Sequence, residues 1–203
     1  MNLSYLRLAV AGLALLVTTG CVPVQAEAES APAMSLVSAR WEHRPESDAW
    51  NAAAIKALAD HGVPLLTTIP ADADEWCPAY ADQTEGGRAA FWVGLLSAMA
   101  KHESTWNPAA VGGGGKWFGL VQIAPATARG YGCRAQSGAA LKAGGENLSC
   151  AVRIMAHTVP RDGVVSRGMR GVAADWGPFH SARKRADMMA WTRAQPYCQP
   201  SKA

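Results

Sequence analysis

Glu103 closes the run Met99-Ala-Lys-His-Glu103-Ser104-Thr-Trp-Asn107-Pro108, which leads through a glycine stretch to Gly119-Leu120-Val121-Gln122-Ile123. A carboxyl group at the end of an apolar helix can stay protonated near neutral pH, as a general acid must. The apolar spacing begins after Arg88. Ala89, Ala90, Phe91, Trp92, Leu95, Leu96, Met99 and Ala100 recur as on an amphipathic or fully buried helix. If that helix continues to Ser104, Trp92, Leu96, Met99 and Glu103 share one stripe. Pro108 biases Asn107 away from helical geometry and Gly112 to Gly115 favour a turn, which predicts Glu103 in the last helical turn. Burial and the negative end of the helix dipole both oppose ionisation there. Lys101 and His102 point off the stripe and are not expected to cancel the shift. Spacing alone is weak evidence for catalysis, because most helix-end glutamates are solvated.

The residues around Glu103 add to the case. Glu103-Ser104-x-x-Asn107-Pro108, a glycine-rich gap, Gly119-Leu120-Val121-Gln122-Ile123 and Pro125-Ala-Thr127-Ala128 follow one another in an order that resembles the signature of SLT-type lytic transglycosylases. That family is lysozyme-like. The resemblance is good from about Ala89 to Met155, including Glu146-Asn147 as the start of a later helix, and weak elsewhere. It implies a mostly α, lysozyme-like (goose-type/SLT) domain whose substrate is the peptidoglycan glycan strand. In that reading Glu103 is the catalytic acid, then the base that closes a 1,6-anhydro ring, and no cofactor is required. Ser104 and Gln122 would position the acid and the sugar amides, Asn107 would fix the loop, and the Gly119-Leu120 backbone would let the glycan approach.

One block departs from the family pattern. Where the family has Ala-Tyr-Asn-Ala-Gly, this chain reads Ala173-Ala174-Asp175-Trp176-Gly177-Pro178-Phe179. Trp176 could fill the space of the missing tyrosine, or Asp175 could supply its polar contact. Were Asp175 to face Glu103 across the cleft, the pair would suit a two-carboxylate hydrolase. An aspartate beside Trp-Gly-Pro is more commonly a turn former or cap. The departure leaves two alternatives to transglycosylation: a hydrolytic goose-type lysozyme and a non-catalytic peptidoglycan-binding lipoprotein. Work within an envelope-spanning assembly is a further reading that no residue pattern tests.

The elements that must position these residues follow an export segment. Arg7 precedes the apolar run Leu8 to Val17, which suits the core of a signal peptide and is too short for a mature membrane span. Thr18-Thr19-Gly20-Cys21 resembles a lipobox, so residues 1–20 read as a lipoprotein signal and Cys21 as the lipidated first residue. The alternative is a soluble secreted protein cut after Ala26. The five cysteines favour lipidation, since removing Cys21 leaves an even four for an oxidising compartment. Cys77, Cys133, Cys150 and Cys198 allow three pairings, of which Cys133 with Cys150 and Cys77 with Cys198 is the most compact. Val22 after the cysteine points to the outer membrane, facing the periplasm.

Residues 21–47, rich in Ala, Glu, Ser and Pro, read as a flexible tether, and 48–203 as the lysozyme-like domain. Asp48 is expected to cap a short helix ending near His61-Gly62. Pro64 to Pro78 reads as an irregular loop, with Asp72-Ala-Asp-Glu75 as a solvated turn that lacks the ligand spacing of a calcium loop.

Other chemistries fit poorly. His43, His61, His102, His157 and His180 are scattered without metal-ligand spacing, so no metal site is predicted. Ser104 lacks partners for a nucleophilic triad, and Gly112 to Lys116 lacks the ending of a phosphate-binding loop. The net charge of +3, or +2 without residues 1–20, is too small to argue for nucleic acid. Arg183-Lys184-Arg185 reads as a solvated helical face, or else as a contact for an acidic polymer or lipid head groups. Among the eight tryptophans, Trp106 and Trp117 flank the proposed loop, where an aromatic face could pack against a sugar.

Overall fold

The structure, a computed structural model, describes residues 37–200. The export segment, Cys21 and Ala26 lie outside the described residues. The helices are α1 (Ser47–Ala59), α2 (Val63–Thr67), α3 (Ala73–Trp76), α4 (Glu85–Glu103), α5 (Pro125–Gly130), α6 (Gly144–Asp162) and α7 (Ala182–Arg193). Two short antiparallel hairpins complete the order, β1 (Val111–Gly112) with β2 (Trp117–Phe118), and β3 (Ser166–Arg167) with β4 (Arg170–Gly171).

Helix α4 is the axis of the fold. Thr84 caps it by accepting a hydrogen bond from Gly87 N at 3.2 Å, and Glu85 places negative charge in the first turn. Nearly every side chain from Ala89 to Ala100 is buried, so the helix is enclosed on all sides and not amphipathic. Helices α1, α2 and α7 pack against it, and α1 lies along α6. Helix α6 ends at Gly163, whose φ of +68° is the left-handed stop expected after a last helical turn.

The domain begins earlier than residue 48. Trp41 is wholly buried and its Nε1 donates to Asn51 Oδ1 at 2.8 Å, while Arg40 forms a two-bond ion pair with Asp187 on α7. Burying an indole contributes roughly 1.5–3 kcal/mol, enough to hold a segment whose composition otherwise reads as a tether. Asp48 lies inside the first turn of α1, with Glu46 at the cap position, and that helix stops at Ala59. The segment 64–78 is also more regular than expected, since it contains most of α2 and all of α3. Its acidic cluster is not simply a solvated turn: Asp72 is fully buried and accepts hydrogen bonds from Val165 N at 2.6 Å and Ser166 N at 3.0 Å.

Two buried disulfides staple the domain. Cys77 pairs with Cys198, joining the segment after α3 to the C-terminal turn, and Cys133 pairs with Cys150 on α6. The first closes a loop of 121 residues and so restricts the unfolded chain most.

Candidate active site

Glu103 is the last residue of α4, and Ser104 is its C-cap. The chain reverses at once. Thr105 and Trp106 both have positive φ, 53° and 57°, and Trp106 N donates to Ala100 O at 3.3 Å. Left-handed geometry at a β-branched residue and a tryptophan costs of order 1–3 kcal/mol each, so surrounding contacts must hold it. Trp106 supplies one, donating from Nε1 to Ser97 O at 2.8 Å. Asn107 supplies another through its Oδ1, which accepts from Ala109 N at 3.0 Å and fixes the turn.

The Glu103 carboxyl is partly buried, and among the described residues no side chain donates a hydrogen bond to it. Burial raises its pKa to about 7, against the opposing pull of the Lys184 ammonium. Lys101 and His102 turn away to Asp187, at 3.2 Å and 2.8 Å. Among the described residues the one charged side chain that acts on Glu103 therefore comes from α7, and nothing in the local spacing signals Lys184.

Ser104, next to Glu103, touches the loop Gly119-Leu120-Val121-Gln122, which is closed by reciprocal backbone bonds between Phe118 and Ile123, both 3.0 Å. Three side chains clamp it, from the C-cap of α4, from α6 and from the turn at Trp176. Ser104 Oγ donates to Leu120 O at 2.7 Å, Asn147 Oδ1 accepts from Val121 N at 2.9 Å, and Asn147 Nδ2 donates to Phe118 O at 3.0 Å. Trp176 Nε1 donates to Val121 O at 2.8 Å. Gly119 has φ +86°, and a Cβ there would run into Leu141 O and Asn147 Nδ2. The glycine serves close approach of the protein's own backbone.

These contacts revise several expected roles. Leu120 is wholly buried and Trp176 is 2% exposed, so their side chains support the loop and offer no face to a sugar. Ser104 likewise spends its hydroxyl on Leu120 O and Ala100 O. Replacing Trp176 with phenylalanine is expected to strand the Val121 carbonyl and lower stability by about 2 kcal/mol. A shift of the urea midpoint at unchanged slope would show it; an unchanged midpoint would contradict the clamp.

Gln122 and Trp117 remain open to solvent. Gln122, at φ 53°, folds back so that Nε2 donates to Gly119 O at 2.9 Å and Ala110 O at 3.3 Å. Its amide oxygen accepts from no described residue. Trp117 is 46% exposed on β2, lying over the turn Gly113-Gly114-Gly115, whose positive φ values only glycine adopts freely. Five of the eight tryptophans are core residues, which leaves Trp117 as the exposed aromatic face.

Asp175 is engaged elsewhere. Tyr131 Oη donates to its Oδ2 at 3.3 Å, and burial raises the Asp175 pKa while Tyr131, Arg161 and His157 oppose that rise. Glu103 is not among the groups acting on it. Asn147, read from the sequence only as the start of a later helix, is the clamp residue to which motif spacing gave no role. An amide on the apolar stripe of α6 was the available signal for Asn147.

The helical core, with one partly buried glutamate at the end of its central helix, has an SLT, lysozyme-like fold. Residues 83–165 match the family model of the transglycosylase SLT domain. No curated protein sequence matches the chain. Among solved structures it is similar to a glutamate-to-glutamine variant of Bd0314 DslA, with 28% identity and a TM-score of 0.74, covering 80% of this chain and 98% of that one. A second such variant and the wild-type form match at 27% identity, with TM-scores of 0.72 and 0.69. They cover 81% and 80% of this chain, and 99% and 98% of their own.

Proposed function

We propose that the protein is a peptidoglycan lytic transglycosylase that cleaves the bond between N-acetylmuramic acid and N-acetylglucosamine, with Glu103 as its single catalytic carboxyl group. The observation that carries this reading is the burial of Glu103, which holds its pKa at about 7 at the end of α4. The protonated carboxyl donates its proton to the glycosidic oxygen as the bond breaks. The resulting carboxylate accepts the proton of the muramoyl C6 hydroxyl, whose oxygen attacks C1 and closes the 1,6-anhydro ring. A pKa near neutrality suits both halves, because neither form is far from the working pH. No second carboxylate is required, in keeping with the engagement of Asp175 by Tyr131.

The Gln122 amide oxygen lies beside Gly112, unpaired among the described residues, and would accept from a sugar N–H or hydroxyl. Trp117 would stack on a neighbouring ring. We further place the protein in the periplasm as an outer-membrane lipoprotein; the pairing of all four remaining cysteines supports an oxidising compartment and leaves Cys21 free for lipid.

The test is the pH profile of fragment release from purified sacculi. Because the first step needs the acid form, kcat/KM should fall above about pH 7 with a one-proton slope. Lys184→Gln removes the cation that favours ionisation and should move that limb to higher pH. A profile flat from pH 5 to pH 9, or a limb that moves downward, would contradict the assignment. No release at any pH, with sacculus binding retained, would make the protein a wall-binding lipoprotein.

A further inference from the structure

Beside Glu103 a cavity of about 250 Å³ opens between the last turn of α4 and the first turns of α7, lined by Lys101, His102, Arg183, Lys184 and Asp187. Its one carboxylate is already spent. Asp187 takes two bonds from Arg40, at 2.7 Å and 3.1 Å, and lies 3.2 Å from Lys101 and 2.8 Å from His102. Those contacts hold it well below the usual carboxylate range, the Arg40 bond most of all, so it stays ionised and occupied. Among the described residues, Arg183 and Lys184 have no carboxylate partner within 4.0 Å. Arg185, the third member of the basic triplet, is drawn away to Phe179 O at 2.8 Å. The cavity therefore presents two uncompensated cations, one of them the same Lys184 that acts on Glu103.

The cavity borders the residues next to Glu103 in sequence, and its Lys184 acts on that carboxyl, so an anionic part of a substrate bound at Glu103 can reach it. Resting on the proposed glycan cleavage, we infer that this cavity is a subsite for the carboxylates of the peptide stem carried by the muramoyl residue. A pocket along α1 and α6 mixes Lys56, Arg134 and Arg153 with Asp60 and Glu146, and a larger one, lined by His61, Tyr131, Arg153 and His157, has the single guanidinium of Arg153; neither pairs two free cations as Arg183 and Lys184 do. A stem hangs from the sugar whose C1 is attacked, which puts its carboxylates near the catalytic acid. Arg183 can grip a carboxylate with two parallel bonds and Lys184 can add a point charge.

The experiment uses Glu103→Gln protein, so that neither turnover nor the titration of Glu103 enters. Soluble muropeptide oligomers with free stem carboxyls are titrated calorimetrically against the same oligomers with those carboxyls converted to carboxamides. The free-acid ligand should bind about tenfold more tightly, with the preference shrinking at high salt. Adding Arg183→Gln and Lys184→Gln should erase the preference, and Lys184→Arg should keep it. Equal affinity for the two ligands, no binding of either, or a preference that survives the double substitution would overturn the subsite. So would binding to anionic phospholipid vesicles in place of the muropeptide. Cleavage of free-acid strands by the wild type is scored separately: its absence would count against the proposed reaction, whereas cleavage of free-acid and amidated strands without charge preference would count against the subsite alone.

Discussion

Glutamine in place of Glu103 is expected to slow glycan cleavage by roughly a thousandfold while making the folded protein more stable at neutral and alkaline pH. The first effect follows from losing the only carboxyl group that the site assigns to proton transfer. The second follows from linkage. The folded carboxyl titrates near 7 against an ordinary value of 4.5, so the native state binds more protons than the unfolded state between those limits. Stability associated with Glu103 is present below about pH 4.5 and is lost as pH rises through 7. The full shift corresponds to about 3 kcal/mol, and partial solvent screening reduces the gain for a neutral isostere to about 2 kcal/mol. Thermal unfolding at pH 4 and pH 8 separates the cases: Glu103→Gln should match wild type at pH 4 and melt higher at pH 8. A variant less stable at both would contradict burial as the cause of the shift.

Gly119→Ala is expected to cost about 3–5 kcal/mol, a large effect for one methyl group. Its φ of +86° is unfavourable for any L side chain, and the new Cβ would collide with Leu141 O and Asn147 Nδ2. Neither neighbour can yield cheaply. Leu141 presents backbone, and the Asn147 amide is bonded to Val121 N and Phe118 O. Relieving the clash would move Gly119 O as well, which accepts from Gln122 Nε2, so activity should fall together with stability. Urea unfolding gives the measurement. A loss below 1 kcal/mol would show that the loop has room which its contacts deny.

What could be read from the chain is what short-range periodicity encodes. Trp92, Leu96, Met99 and Glu103 are linked by helical spacing alone, and their helix runs as that spacing indicates, although it starts at Glu85 where Thr84 caps it. The glycine run likewise becomes a tight hairpin turn. Less legible were features whose partners lie far along the chain. Asp72, among Asp74 and Glu75, looks solvated until Val165 and Ser166 bring their N–H groups to it. Trp41 looks like part of a tether until Asn51 receives its indole N–H. Trp176, at the departure from the family block, looks like a stand-in for a cleft tyrosine; its contact with Val121 turns it inward. Lys184 comes from a helix 81 positions beyond Glu103, and only packing reveals that it tempers the acid. The inward roles of Gly119 and Leu120 have the same origin, since the loop must be seated on α6 before its interior side is defined.

The central claim is that one carboxyl group, Glu103, serves as acid and then as base without water entering the reaction. Mass spectrometry of the fragments released from sacculi tests it most directly. Wild-type protein should release muropeptides that end in a 1,6-anhydro ring, each one water lighter than the hydrolytic product, and Glu103→Gln should release almost none. Fragments with ordinary reducing ends, or undiminished anhydro products from Glu103→Gln, would contradict the account.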